Sequence, residues 1–123
     1  MSAKTPTVAD GRLYDPLQPG RPILLDTPAW FAWLKLEQVR SFAYPVFDAR
    51  CGYIAGYMTV RKEGRQRGGT YWTVYRRSQG RVRKVYLGTA TRVTRERLVL
   101  VVRQLLAEQY QCAEAEIVLT QHH

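Results

Sequence analysis

Cysteine and histidine are scarce in this sequence. Cys51 and Cys112 are its only cysteines, and its only histidines, His122 and His123, stand at the end of the chain and are set aside. No CxxC pair exists, so a zinc ribbon, a dithiol redox centre and a disulfide-dense scaffold are all excluded. Nor is there an HxxxH, a GxSxG or a Walker-type loop. The stretch "GRQRGG" is glycine-rich and basic but lacks the GK[ST] ending that cradles nucleotide phosphates. No apolar run approaches the roughly 18 residues a membrane span needs. The opening "MSAKTPTVADGRLYD" has no apolar middle of a secretory signal. These absences predict a cytoplasmic protein with no membrane association, no metal and no cofactor, whose two cysteines are buried, reduced thiols.

Negative charge is the other shortage, and its distribution is uneven. From Arg61 to Arg97 there are twelve Lys/Arg against Glu63 and Glu96 alone, whereas the rest of the chain carries seven basic and eight acidic residues. One segment therefore holds the whole positive excess, and the rest of the chain, slightly acidic, brings the net charge to +9. Ten of its twelve cations are arginine, whose planar fork suits phosphate and base edges. A two-metal nuclease needs clustered carboxylates, which this segment lacks. A recombinase centre of Arg, His and nucleophilic Tyr would need a further domain. The expectation is a binding protein, not an enzyme, with a polyanion as its partner.

A chain of 123 residues that is 46% hydrophobic and contains three tryptophans has the means for one folded core. Residues 1–26, rich in Pro and Gly, read as an extended arm, and residues 27–123 as a single α+β domain. "DTPAWFAWLKLEQVR" predicts a helix in which Thr27 caps the end and Pro28 takes the first helical position, where its missing N–H costs nothing. Trp30 and Trp33 face the core in that reading; the alternative is an exposed surface for a protein partner. "SFAYPVF" predicts a short strand stopped by Pro45, and "GYIAGYMTVRK" a longer one. "TYWTVYRR" and "VRKVYLG" predict a hairpin turning at "SQGR", where Gly80 takes positive φ. From Thr94 to about Tyr110, Leu98, Val101, Val102, Leu105 and Leu106 recur at helical spacing. The tail "CAEAEIVLTQHH" adds a turn or a last strand. Together these elements make an antiparallel sheet of three to four strands, a C-terminal helix packed on one face, and a Trp-rich N-terminal helix.

Turn length fixes which residues share a face of the hairpin. A three-residue loop pairs Val74 with Lys84 and mixes charge into the core. An even loop pairs Arg77 with Val82, Val74 with Val85 and Trp72 with Leu87, leaving Tyr71, Thr73, Tyr75, Arg77, Lys84 and Tyr86 on the opposite side. Extended to the preceding strand, this register turns Ile54, Met58 and Val60 inward and Tyr57, Thr59 and Arg61 outward. Apolar residues thus occupy one side, and charge occupies the other side and the loops. The predicted core comprises Trp72, Val74, Val85, Leu87, Leu98, Val102 and Leu105. The predicted site comprises Tyr57, Thr59, Arg61, Tyr71, Thr73, Tyr75, Arg77, Arg81, Lys84 and Tyr86, with Arg65 and Arg67 on flanking phosphates. A sheet face of this composition suits the major groove of duplex DNA, where arginine reads guanine. Its tyrosines also suit base stacking with single strands or RNA.

The stretch "SFAY … GYMTVRKEGRQRGGTYWTVYRRSQGRVRKVYLG … VTRERL", with "PAWFAWL" ahead of it, resembles a segment near the N-terminus of some large bacterial LuxR-type regulators. That similarity spans about residues 27–100 and rests on RGG-YW and YLG. It implies a bacterial setting; a link to transcriptional regulation or to a mobile element is the expectation for a DNA-binding protein of this kind. The ATPase, repeat and helix-turn-helix parts of such regulators have no counterpart here, so their activities do not transfer. The architecture also looks like the arm-binding domain of tyrosine recombinases and the plant AP2 domain, families that set a three-stranded sheet in the DNA major groove.

Overall fold

The computed structural model describes residues 5–64 and 68–121, with side chains described as far as Gln111. Its strands are β1 (Thr7–Ala9), β2 (Arg12–Tyr14), β3 (Ile23–Leu24), β4 (Ser41–Asp48), β5 (Tyr53–Gly64), β6 (Thr70–Ser78) and β7 (Arg81–Gly88). Helix α1 covers Pro28–Leu34, and α2 covers Arg95–Gln121 after a short 3-10 turn at Ala90–Arg92. The fold is α+β, as expected, but the sheet is larger and mixed: seven strands in the order β3-β2-β1-β4-β5-β6-β7.

The extra strands come from residues expected to form an arm. Asp10 and Gly11, both at positive φ, make the two-residue turn that lets Ala9 pair with Arg12. Beta-1 then joins β4 in parallel through Thr7 and Ala43. Val8, Leu13 and Leu25 are buried in the common core, which fixes the segment to the body. Apolar burial outweighs the lack of periodicity here, because strands of two or three residues are too short to show a period.

Pro45 does not stop β4. The Ala43 N–H donates to the Pro6 carbonyl, so by alternation the Pro45 nitrogen also faces β1, just past the Thr7–Ala43 pair where no ladder bond is asked of it. One residue further on, the β4–β5 register shifts, and Phe47 stands opposite Ile54. That bulge corrects the expected inward position of Ile54: it and Phe47 are both exposed, whereas Met58 and Val60 are fully buried as expected.

The β6–β7 hairpin has the even loop. Gln79 and Gly80 both take positive φ, Ser78 pairs with Arg81, Arg77 with Val82 and Val74 with Val85. A second bulge lies between Trp72 and Thr73, so Trp72 stands opposite Gly88 rather than Leu87. The expected core is present around these strands, with Val85 only partly buried.

Thr27 accepts a hydrogen bond from the Trp30 N–H and caps α1, which is shorter than expected. Trp30 stacks on Trp33 and sits edge-on to Phe42, which in turn lies 5.6 Å from Trp72. Their indole N–H groups are occupied inside the fold: Trp30 donates to the Val93 carbonyl at 2.8 Å and Trp33 to Asp15 Oδ2 at 2.9 Å. Both tryptophans are therefore core residues, which overturns the exposed partner surface considered for them. In α2, Thr94 Oγ1 accepts from the Arg97 N–H, and Leu98, Val101, Val102, Leu105 and Leu106 are buried as their spacing requires. The helix runs on through Gln121 in place of the expected turn or strand. Both helices cover the side of the sheet that bears Phe42, Val60 and Trp72.

Candidate nucleic-acid interface

Alternation along β5, β6 and β7 turns a second set of side chains away from the helices. Cross-strand pairing arranges them in rows: Arg61–Thr73–Tyr86, Thr59–Tyr75–Lys84, Glu63–Tyr71 and Arg77–Val82. Tyr57, Thr59, Arg61, Arg77, Lys84 and Tyr86 are exposed on this face, and Tyr71 and Tyr75 are half-buried. Nine of the twelve predicted site residues are thus brought together on one surface. Thr73 shares the face but is fully buried, its hydroxyl without a partner, so it presents nothing to a ligand. Its cross-strand neighbours Arg61 and Tyr86 are large, and a threonine between them is covered over.

Glu63 is the residue that sequence reasoning left out. It accepts a hydrogen bond from the Tyr75 hydroxyl, and its other oxygen lies 3.9 Å from Lys84 Nζ. The Tyr75 bond holds its carboxyl below the ordinary 4.5, aided by Tyr71, Lys84 and Arg61. Lys84 is held above its ordinary value by Tyr75 and then by Glu63. Arg61 and Lys84 each lie 5.4 Å from the Tyr75 ring centre. Tyr75 is therefore locked in place by an anion at its hydroxyl and a cation on each flank. The signal for Glu63 was in the sequence, since it follows Thr59 and Arg61 on the same alternation. The ion pairs among the described residues are Lys84–Glu63 and Arg83–Glu108, and Arg61 and Arg77 belong to neither.

Four cations depart from the expected separation of charge and core. Lys62, Arg76, Arg81 and Arg83 lie on the helix side of the sheet, Lys62 opposite Trp72 and Arg76 opposite Arg83. Lys62 donates to the Leu36 carbonyl at 2.8 Å, and burial lowers its pKa. Arg76 donates to the Tyr57 carbonyl at 3.1 Å. Arg81 is thereby removed from the predicted face. The physical reason is that the hairpin's turn end reaches the polar far side of α2, where Arg83 meets Glu108 at 2.7 Å. There the helix side of the strands is wet, and alternation no longer sorts charge from core. Arg65 and Arg67 lie outside the described residues.

At the same end of the strands, the β4–β5 turn is also tied to α2. Asp48, buried, accepts from the Tyr110 hydroxyl, and Arg50 stacks 4.0 Å from the Tyr110 ring centre. That bond, followed by bonds from Arg50 and Cys51, holds the Asp48 carboxyl below its ordinary 3.8 and raises the Tyr110 hydroxyl. Cys51 is exposed and free, not buried as expected, because it sits in the turn itself; the Cys112 side chain lies outside the described residues. Among the described residues, no three His, Cys, Asp or Glu side chains are grouped to hold a metal ion. No described helix is long and apolar enough to cross a membrane. No family model, curated protein or solved structure matches the chain.

Proposed function

We propose that this protein binds duplex DNA through the face of β5–β7 turned away from the helices. The observation that carries this reading is the position of Arg61 and Arg77. Both are exposed on a sheet surface that neither helix covers, and neither is in an ion pair among the described residues. Unneutralised arginines on a surface held rigid from behind are suited to guanine edges and phosphate oxygens. Lys84, drawn toward Glu63, serves as a weaker phosphate contact. Arg65 and Arg67, between β5 and β6 in sequence, add charge for the flanking backbone.

A second reading has a specific observation in its favour. Phe47, Tyr57 and Tyr86 are each about half exposed, at 53%, 50% and 52%. Aromatic rings beside cations form a stacking platform for unpaired bases of single-stranded DNA or RNA. One titration separates the readings: duplex DNA, single-stranded DNA and RNA, each at several salt concentrations. Duplex binding is expected to be tightest, with the logarithm of affinity falling against the logarithm of salt at about −0.9 per phosphate neutralised. Tighter binding to single strands favours the stacking reading. No binding at low salt to any of the three ends both and leaves a protein-interaction module.

A further inference from the structure

The end of the β6–β7 hairpin carries cations on both faces. Arg77 points to the outer side, and Arg76, Arg81 and Arg83 to the helix side. There they line a groove with Leu105, Glu108 and Gln109 of α2. Arg76 and Arg83 are direct cross-strand neighbours, with the Arg76 end group turned toward the Tyr57 carbonyl of β5. Within the described residues, Glu108 pairs with Arg83 at 2.7 Å. Both members of that pair keep substantial exposure, 56% and 33% of the side chain, so the groove is open to solvent, and its described lining carries more positive than negative charge. A site of this charge and shape has an anion as its complement.

Resting on the duplex-DNA reading, we propose that the hairpin enters the groove of the duplex end-on, with a phosphodiester strand on each of its faces. One strand runs along Arg77 and Lys84; the other lies in the cleft between the hairpin and α2, against Arg81 and Arg83. The dimensions agree. A strand layer with its side chains is about 10 Å thick, and the major groove is about 12 Å wide and admits a two-stranded ribbon. Docking by the outer face alone would leave Arg81 and Arg83 pointing away from the DNA. In the end-on mode Glu108 acts as a placeholder that holds Arg83 until a phosphate displaces it.

The test compares the salt dependence of binding to a short mixed-sequence duplex for the intact chain and for Arg81→Gln, Arg83→Gln, Arg77→Gln, Glu108→Gln and Arg12→Gln. Arg12 lies in β2, four strands from β6, and controls for the loss of one charge anywhere on the molecule. Arg81→Gln and Arg83→Gln are each expected to reduce the salt slope by about 0.9, as Arg77→Gln does, and Arg12→Gln to leave it unchanged. Glu108→Gln is expected to tighten binding severalfold by releasing Arg83. If the Arg81 and Arg83 variants match the Arg12 control while Arg77→Gln loses slope, the second strand is not in the cleft and the end-on mode is wrong, with duplex binding by the outer face intact. If the intact chain binds no duplex, the functional reading itself fails and the end-on mode with it.

Discussion

Arg76 reaches from β6 across to β5 and lies against Gly56, where an added Cβ would come within 2.8 Å of its Nη1. The same guanidinium donates to the Tyr57 carbonyl, and Gly56 itself has φ of +138°. The glycine thus serves two purposes: it supplies the backbone angle at which β5 bends beside the bulge, and it leaves room for the cation that spans the strands.

Replacing Gly56 by Ala is expected to destabilise the fold by about 1–3 kcal/mol, chiefly through the backbone angle that a side chain resists. The Arg76 end group is flexible and moves aside at small cost, so removing it by Arg76→Gln in the same chain should recover only a minor part of the loss. Denaturant midpoints of the single and double variants measure this.

Trp72 is fully buried against Phe42 at the edge of the aromatic cluster, yet its indole N–H has no partner. Truncation to Ala leaves a cavity and is expected to cost about 3–5 kcal/mol. Phe retains most of the ring and removes an unsatisfied donor, whose burial costs about 1–3 kcal/mol. Trp72→Phe should therefore be much milder than Trp72→Ala, and thermal melting of both variants checks the order.

Acid should weaken the fold through two carboxylates. Asp48 and Glu63 both have folded-state pKa values below their ordinary 3.8 and 4.5. A depressed pKa means that the unfolded chain takes up the proton first. The stabilisation is complete above about pH 5 and is lost as pH falls through the ordinary values toward the lower, folded ones. Glu63→Gln and Asp48→Asn should each flatten the fall of the denaturant midpoint between pH 5 and 3.

Arg61→Ala should weaken binding to preferred duplexes by about 1–3 kcal/mol while affecting other sequences less, whereas Arg77→Ala, which removes a phosphate contact, should weaken binding to all duplexes alike. Tyr57→Ala and Tyr86→Ala should change duplex binding little; a loss of about 1–3 kcal/mol each on single strands would point to stacking instead. Competition titrations with duplex and single-stranded oligonucleotides distinguish the patterns.

Much of the central sheet could be read from the residues themselves. Alternation of Trp72 and Val74 with Thr73 and Tyr75, together with Gly80 in a short turn, determines the hairpin register, because a slip by one residue would bury Lys84. Pro28 after Thr27 marks the start of α1, and the spacing of Leu98, Val101, Val102 and Leu105 defines the buried stripe of α2, since caps and periodicity are local properties of the chain. Asp10 and Gly11 turn the chain there, but strands as short as Thr7–Ala9 and Arg12–Tyr14 have too few residues for alternation to show. Only long-range packing could decide that they join β4 and bury Val8 and Leu13. The same holds for the burial of Thr73 between Arg61 and Tyr86, the outward turn of Ile54 at the β4–β5 bulge, and the division of the arginines between the two sides of the hairpin. Each of these depends on which strand lies alongside and how far α2 extends over it. Such contacts join residues far apart in sequence, and local pattern cannot specify them.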